Sequence, residues 1–216
     1  YYFDRTGLPA GRYDKIHLVP WGEFIPFKHS IPWLYAMFLR LSPYSYDYTL
    51  TPGTLDELKI FELSDGQSAA LRRFVVPICF EDIDAELVAK MLRPLSPGGS
   101  KRADFLVNIT NDGWFKANQQ PQHLQVAVFR SIENRVPTAR SVNTGISGFI
   151  DPLGRISGAV EQYQHGWSAQ RLTLDSRTSL FTRYGEWFAQ ICAILTAAIA
   201  LTTIARRIFQ RKAKPQ

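Results

Sequence analysis

The stretch "RFVVPICFED", residues 73–82, decides how this chain is read. A run rich in β-branched residues ends on a lone cysteine, Cys79, with two acids, Glu81 and Asp82, close behind it. Short, nearly continuous apolar runs of this kind are expected of central strands buried on both faces, and "DFLVNIT" (104–110) is a second one. Between them, "DIDAELVAKMLRP" sets Ile83, Leu87, Met91 and Leu92 at helical spacing, and Pro94 stops the helix. A further helix is expected from about Gln120 to Asn134, with Leu124, Val128 and Ile132 on one face. Strands alternating with helices predict an α/β layered domain.

Outward from this centre, "YYFDRTGLPAGRYDKIHLV" reads as strand, turn and second strand, with Gly7, Pro9 and Gly11 at the connection. "GFIDPLGRISGAV" (148–160) repeats that pattern. The opening "YYFDRTG" carries no initiating Met and reads as mid-strand, so an N-terminal part is expected to lie outside this sequence. Residues 24–53 are long, aromatic and broken by prolines. Their apolar core, "IPWLYAMFLRL", is too short to span a bilayer and suits a short interfacial helix, a membrane-facing lid carrying Trp33, Tyr35 and Phe38. The other reading is a loop packed on the domain's own surface.

Charge places the chain's ends. The net charge is +6, but the last eleven residues, "RRIFQRKAKPQ", hold five Lys or Arg and no acid; without them 20 basic residues face 19 acidic ones. A nearly neutral body does not support nucleic-acid binding. Ahead of the tail, "WFAQICAILTAAIALTTIA" (187–205) has no charge, and as a helix it spans roughly 28 Å, close to a hydrocarbon core of about 30 Å. The positive-inside rule puts Arg206, Arg207, Arg211, Lys212 and Lys214 in the cytoplasm, with the preceding domain on the opposite, periplasmic side of a bacterial inner membrane. The expected division is therefore a domain at 1–185 with the insertion at about 24–53, a transmembrane helix at 186–205 and a basic tail at 206–216. Cys192 lies in the span, which leaves Cys79 unpaired in an exported domain, as a reactive or a deeply buried thiol.

A free thiol is only about 3% thiolate at pH 7, so a nucleophilic Cys79 needs a cation, a base or a helix N-terminus beside it; otherwise it is a small buried hydrophobe. Lys15 is a charge within a stretch read as an apolar strand, and Glu23 follows in the turn "PWGEF"; taken alone, each is as well explained as a solvated side chain. The four histidines, 17, 29, 123 and 165, have no metal-ligand spacing.

Taken together, "GRYDKIHLVPWGEFIPF", "VPICFED" and "VNITNDGWF" resemble the carbon–nitrogen hydrolase (nitrilase) superfamily, and in wording its membrane branch, the bacterial apolipoprotein N-acyltransferases, over their C-terminal part. "QHLQVAVFRSIENRVPTARSVNTGISGFIDPLG" and the span with its basic tail continue the likeness. The resemblance implies an α-β-β-α sandwich and a Glu–Lys–Cys triad. It makes Cys79 the nucleophile, Lys15 the cation beside thiolate and oxyanion, Glu23 the acid that orients Lys15, and Glu81 the acid two residues after the nucleophile. The triad's general base would be a Glu on a strand before residue 1. Trp114 and Phe115 are expected either to line the acyl pocket or to pack beneath the site, and Phe80 to touch acyl chains. The implied reaction takes a fatty acyl chain from a phospholipid through a thioester to the N-terminal amine of a diacylglyceryl-cysteine on an apolipoprotein, by a monomer without cofactor or metal. An anchored amidase or nitrilase and a catalytically dead binding domain are the competing readings.

Overall fold

The computed structural model describes residues 1–42, 44, 46–64 and 71–212, the last six as backbone alone. Residues 213–216 of the expected basic tail lie outside the described residues. A six-stranded sheet runs in the order β3 (Phe61–Ser64), β4 (Leu71–Val75), β5 (Phe105–Asn111), β6 (Thr138–Asn143), β7 (Ser147–Ile150), β8 (Ile156–Val160). Strands β4, β5 and β6 are parallel and the outer pairings antiparallel. A two-stranded ribbon of β1 (Tyr2–Phe3) and β2 (Pro9–Gly11) precedes them. Helices α2 (Ala85–Leu92), α3 (Gln120–Asn134) and α4 (Leu180–Tyr184) pack against one another. The expected mixed α/β domain is present, and so is the 148–160 hairpin.

The core is built where the pleat stacks identical residue types. Phe61, Phe74 and Phe105 face one another across β3, β4 and β5 in direct register, with ring centroids 5.2 and 5.1 Å apart. Helix α2 presses Leu87, Val88, Met91 and Leu92 onto this layer, all four fully or nearly fully buried. Its N-terminus is capped by Asp84, whose carboxylate accepts from the Leu87 amide at 2.9 Å.

Three sequence expectations are corrected. First, β4 stops at Val75, because Pro77 has no amide to give the ladder. The register nevertheless continues: Ile78 bridges Ile109 with the same offset that pairs Phe74 with Phe105, and the Asn108 side chain donates to the Pro77 carbonyl at 3.0 Å. Cys79 thus opens a 3-10 turn (Cys79–Ile83) instead of ending a strand, and the N-terminus of α2 lies beyond that turn. Second, Lys15 is not in a strand; the chain after Gly11 leaves the ribbon, and the amides of Ile16 and His17 bind a side chain. Third, α3 turns its polar face inward. His123, Arg130, Ser131 and Asn134 are buried, while Ile132 is 43% exposed and lies with Val128 over Gly154 in the β7–β8 turn.

Residues 24–53 contain α1 (Pro32–Leu41), a ten-residue helix with no buried residue. Helix α5 (Trp187–Lys212) includes a 20-residue stretch, Trp187–Arg206, that is long and apolar enough to cross a membrane, and none of it is buried.

Candidate active site

Because β4, β5 and β6 run in parallel, their C-terminal ends bring three turns to one edge of the sheet: the 3-10 turn at Cys79, the turn Asp112–Trp114 after β5, and residues 143–146 after β6. Cys79 is partly buried and sits at φ +52°, a left-handed conformation that costs a side-chain-bearing residue about 1–2 kcal/mol. Such a conformation persists only where its surroundings hold it.

Glu81 supplies part of that hold. It is fully buried and accepts four hydrogen bonds: from the Tyr13 hydroxyl (2.8 Å), the amides of Ile16 (2.6 Å) and His17 (3.1 Å), and the Ile78 amide (2.6 Å). One carboxylate therefore ties the residues that follow Lys15 to the residue that precedes Cys79. Burial pushes the Glu81 carboxyl above its ordinary value, and the hydrogen bonds it accepts pull it back only in part. Burial and the Glu81 charge push the Tyr13 phenol up as well, so it stays a donor. Glu81 is thus a structural hub whose contacts are all with the scaffold.

Lys15 and Glu23 form a second unit. The Lys15 ammonium donates to both Glu23 oxygens, at 2.8 and 2.7 Å, and its side chain is 10% exposed. Glu23 also accepts from the Val19 amide at 2.7 Å, which closes the 19–23 turn around the pair. The long insertion is strapped to this unit: the Gly53 amide donates to the Lys15 carbonyl and the Leu50 amide to the Glu23 carbonyl, both at 2.9 Å. A Cβ on Gly53 would stand 2.5 Å from the Asp14 carbonyl, so the close approach requires glycine there.

A cavity of about 730 Å³ opens beside this loop, within the size range of small-molecule sites. Ile16, Leu18, Phe24, Ile25 and Leu50 make it largely apolar, and Leu87 of α2 and its cap Asp84 also line it. Phe80 packs on His17, one of the cavity's lining residues, at 6.0 Å between ring centroids. Phe115 packs on His123 (5.5 Å) and Trp114 is 82% exposed; none of the three aromatics lines the cavity. The structure thus joins Cys79, Glu81, Lys15 and Glu23 through neighbouring segments and leaves Trp114 at the surface.

Sequence reading missed a second cluster behind the turn. Asp82, Asp112, His123 and Arg140 are buried together, their side chains at most 4% exposed. A signal existed: "TARSVN" (138–143) puts an arginine in the middle of a strand flanked on both sides, where a charge needs partners. Gly145 serves this cluster, since a Cβ there would meet an Asp112 oxygen at 2.4 Å; its role is close approach, and the positive φ of that turn falls on Thr144. The Asn143 side chain donates to Asn111, and the Ser147 hydroxyl accepts from the Val142 amide.

The comparison with known proteins now has a geometry to meet. The carbon-nitrogen hydrolase family pattern matches residues 1–180. The chain belongs to the carbon–nitrogen hydrolase family. It is 36% identical over 202 residues to an apolipoprotein N-acyltransferase of Geobacter metallireducens, covering 93% of this chain and 35% of that protein. It is 30% identical over 203 residues to an apolipoprotein N-acyltransferase of Chlorobaculum tepidum, covering 94% and 36%. The chain therefore spans about a third of the length of these relatives. Among solved structures it is similar to Saccharomyces cerevisiae Nit3, a member of branch 10 of the nitrilase superfamily, at 22% identity and a TM-score of 0.39 over 53% of this chain and 40% of that one. A carbon–nitrogen hydrolase domain followed by a helix apolar enough for a membrane is the architecture on which the function must be argued.

Proposed function

We propose that this chain carries the acyl-transfer machinery of an apolipoprotein N-acyltransferase. The observation that carries the reading is the Glu81 carboxylate, which pins the Lys15 segment and the Cys79 turn to each other. A charged pair and a strained cysteine on separate loops are of little use to catalysis unless their spacing is fixed. Relatives bearing the acyltransferase name support the choice of reaction.

In this reading the Cys79 thiolate attacks the ester carbonyl of a phospholipid. The S–C bond forms, the ester C–O bond breaks, and the lysophospholipid leaves with the proton that the triad base had taken from the Cys79 thiol. An amine, the N-terminus of a diacylglyceryl-cysteine, then attacks the thioester; the N–C bond forms, the C–S bond breaks, and Cys79 is regenerated. The amine's proton goes to the triad base, a Glu that the family resemblance assigns to a strand preceding Tyr1. An ammonium has three donors. Two of those on Lys15 orient it against Glu23, and the third is assigned to the developing oxyanion. The apolar cavity beside the Lys15–Glu23 loop takes the acyl chain, with Phe80 at its margin, and the exposed Trp114 and Phe115 turn meets lipid at the rim.

Both substrates live in a membrane, which accounts for a domain at 1–185 tethered by a span at 186–205 and carrying the exposed helix α1 in its 24–53 insertion. The domain faces the periplasm, the basic tail from residue 206 lies in the cytoplasm, and the enzyme acts as a monomer in the inner membrane.

The test is Cys79→Ala in the full-length protein, with the segment preceding Tyr1 that bears the base, in vesicles supplied with a phospholipid donor and a diacylglyceryl peptide acceptor. N-acylation is expected to fall by about a thousandfold or more, as for loss of a covalent nucleophile. Survival of acylation removes the nucleophile assignment. If the parent instead releases free fatty acid at the same rate with and without the amine, water is the acceptor and the anchored hydrolase reading takes its place.

A further inference from the structure

Two acids follow Phe80, and the reading above uses one of them. Glu81 turns toward the Lys15 segment; Asp82 turns into the buried cluster behind the turn. Its Oδ1 meets His123 Nε2 at 2.9 Å and its Oδ2 accepts from Arg140 Nη1 at 3.1 Å. The other ring nitrogen, His123 Nδ1, meets Asp112 Oδ1 at 2.8 Å, and Arg140 Nη2 donates to Asp112 Oδ2 at 3.4 Å. Arg140 also donates to Asn108, and Arg130 on α3 donates to the carbonyls of Asp82 (3.2 Å) and Ile83 (3.3 Å).

With a carboxylate oxygen on each ring nitrogen, His123 has to carry both protons. Burial alone would push it down; hydrogen bonds to Asp112 and Asp82 outweigh burial and raise it to about 9. Asp112, despite burial, is held below the carboxylate range by His123 and Arg140. Two anions and two cations then balance within a space closed to water, the condition under which buried charges are tolerated. The four residues come from four pieces of the fold: the Cys79 turn, the turn bearing Trp114 and Phe115, helix α3 and strand β6.

We propose that His123, together with Asp112, is a positioning residue for Cys79: the balanced cluster holds the left-handed turn through Asp82 and couples it to the turn that carries Trp114 and Phe115. Neither residue touches the reacting atoms. The consequence for catalysis rests on the nucleophile reading of Cys79; the coupling of the two turns does not.

The test uses the full-length protein, with the segment preceding Tyr1, in detergent, with amide exchange followed by mass spectrometry and acylation of Cys79 by p-nitrophenyl butyrate followed by p-nitrophenolate release and mass shift. His123→Gln is expected to speed exchange of 79–83 and 112–115 together by about tenfold or more, and to lower the saturating acylation rate by a similar factor with half-saturation within about twofold of the parent. His123→Gln/Asp112→Asn, which restores the charge balance, is expected to recover most of both losses. Exchange and acylation within about twofold of the parent in the single variant overturn the proposal, and so does a double variant no better than the single one. Should the single variant fail to fold, the parent alone still decides. Protection of 79–83, corrected for intrinsic exchange, is expected to fall about tenfold between pH 7 and 9.5 while that of α2 holds, and a flat profile overturns the proposal. The groups facing His123 are Asp82, Asp112 and Arg140, and of this cluster His123 is the group raised to about 9; Lys101, pushed by burial down to about 8, also loses its proton in this range but hydrogen-bonds the Asn134 and Arg135 carbonyls outside the cluster. If Cys79→Ala leaves acyl transfer intact, the nucleophile reading falls, and the exchange result still reports on the cluster.

Discussion

Helices α2 and α3 both contact the 3-10 turn at Cys79, yet they bury opposite chemistry. Helix α2 drives Leu87, Val88, Ala89, Met91 and Leu92 into the aromatic and aliphatic core. Helix α3 sends in Gln120, His123, Arg130, Ser131 and Asn134, and leaves Phe129 and Ile132 half exposed. The contrast separates two tasks. An apolar face gains stability from any close-packed surroundings and tolerates small shifts; a buried face of charged and amide groups is satisfied in one arrangement only, because each unpaired atom is costly. In this chain the first kind of face builds the core, and the second kind bonds Asp82 and Ile83 in the turn that bears Cys79.

The contrast can be broken by substitution. Met91→Ala, at a fully buried site on α2, is expected to cost about 2–5 kcal/mol of unfolding free energy while leaving the turnover of folded molecules unchanged. Denaturant titration in detergent, paired with an activity assay on the folded fraction, reads both; a loss of turnover equal to that of an α3 variant would erase the division of tasks.

A smaller effect comes from pH. His123 is raised from about 6.5 in the unfolded chain to about 9 in the folded one, so its contribution is complete below pH 6.5 and disappears as pH rises through 9. The full contribution is about 3 kcal/mol, of which about 1.5 kcal/mol is lost between pH 6.5 and 8. Above that window Lys101, pushed by burial down to about 8, works in the opposite direction, so the slope is read below it. Stability that stays level between pH 6.5 and 8 argues that the α3 face is not charged.

The smallest effect sharpens the comparison from the other side. Ile132→Ala removes a half-exposed apolar residue from the outward face of α3, where it lies over Gly154, and is expected to cost about 1 kcal/mol in a thermal melt with activity unchanged.

The same contrast explains what was legible in advance. Periodicity found both helices and gave α3 its observed limits, Gln120–Asn134, because backbone pattern and breakers are local. It chose the wrong face for α3, because Leu124, Val128 and Ile132 outrank a histidine and an arginine on any hydropathy scale, and only the presence of Asp82 and Asp112 makes the polar side the buried one. "FVVPIC" was read as an unbroken strand because the residue types are right; Pro77 interrupts the ladder, and the Asn108 side chain that repairs it lies 31 residues away. Lys15, Glu23, Cys79 and Glu81 were nameable together through a family resemblance, but Glu81 was named without its role. Its four donors are spread over residues 13 to 78, a distribution that no spacing rule reveals.

By itself the sequence determined the α/β class, the 148–160 hairpin, the apolar helix near the C-terminus and the family, since each rests on local pattern or on residue identity in order. The tertiary structure decided which partners the two acids behind Cys79 find, which face of α3 is inside, and that the cysteine between Ile78 and these acids adopts a left-handed backbone. Those are matters of pairing between buried charges far apart in the chain, and a charge finds its partner only when the fold has closed around both.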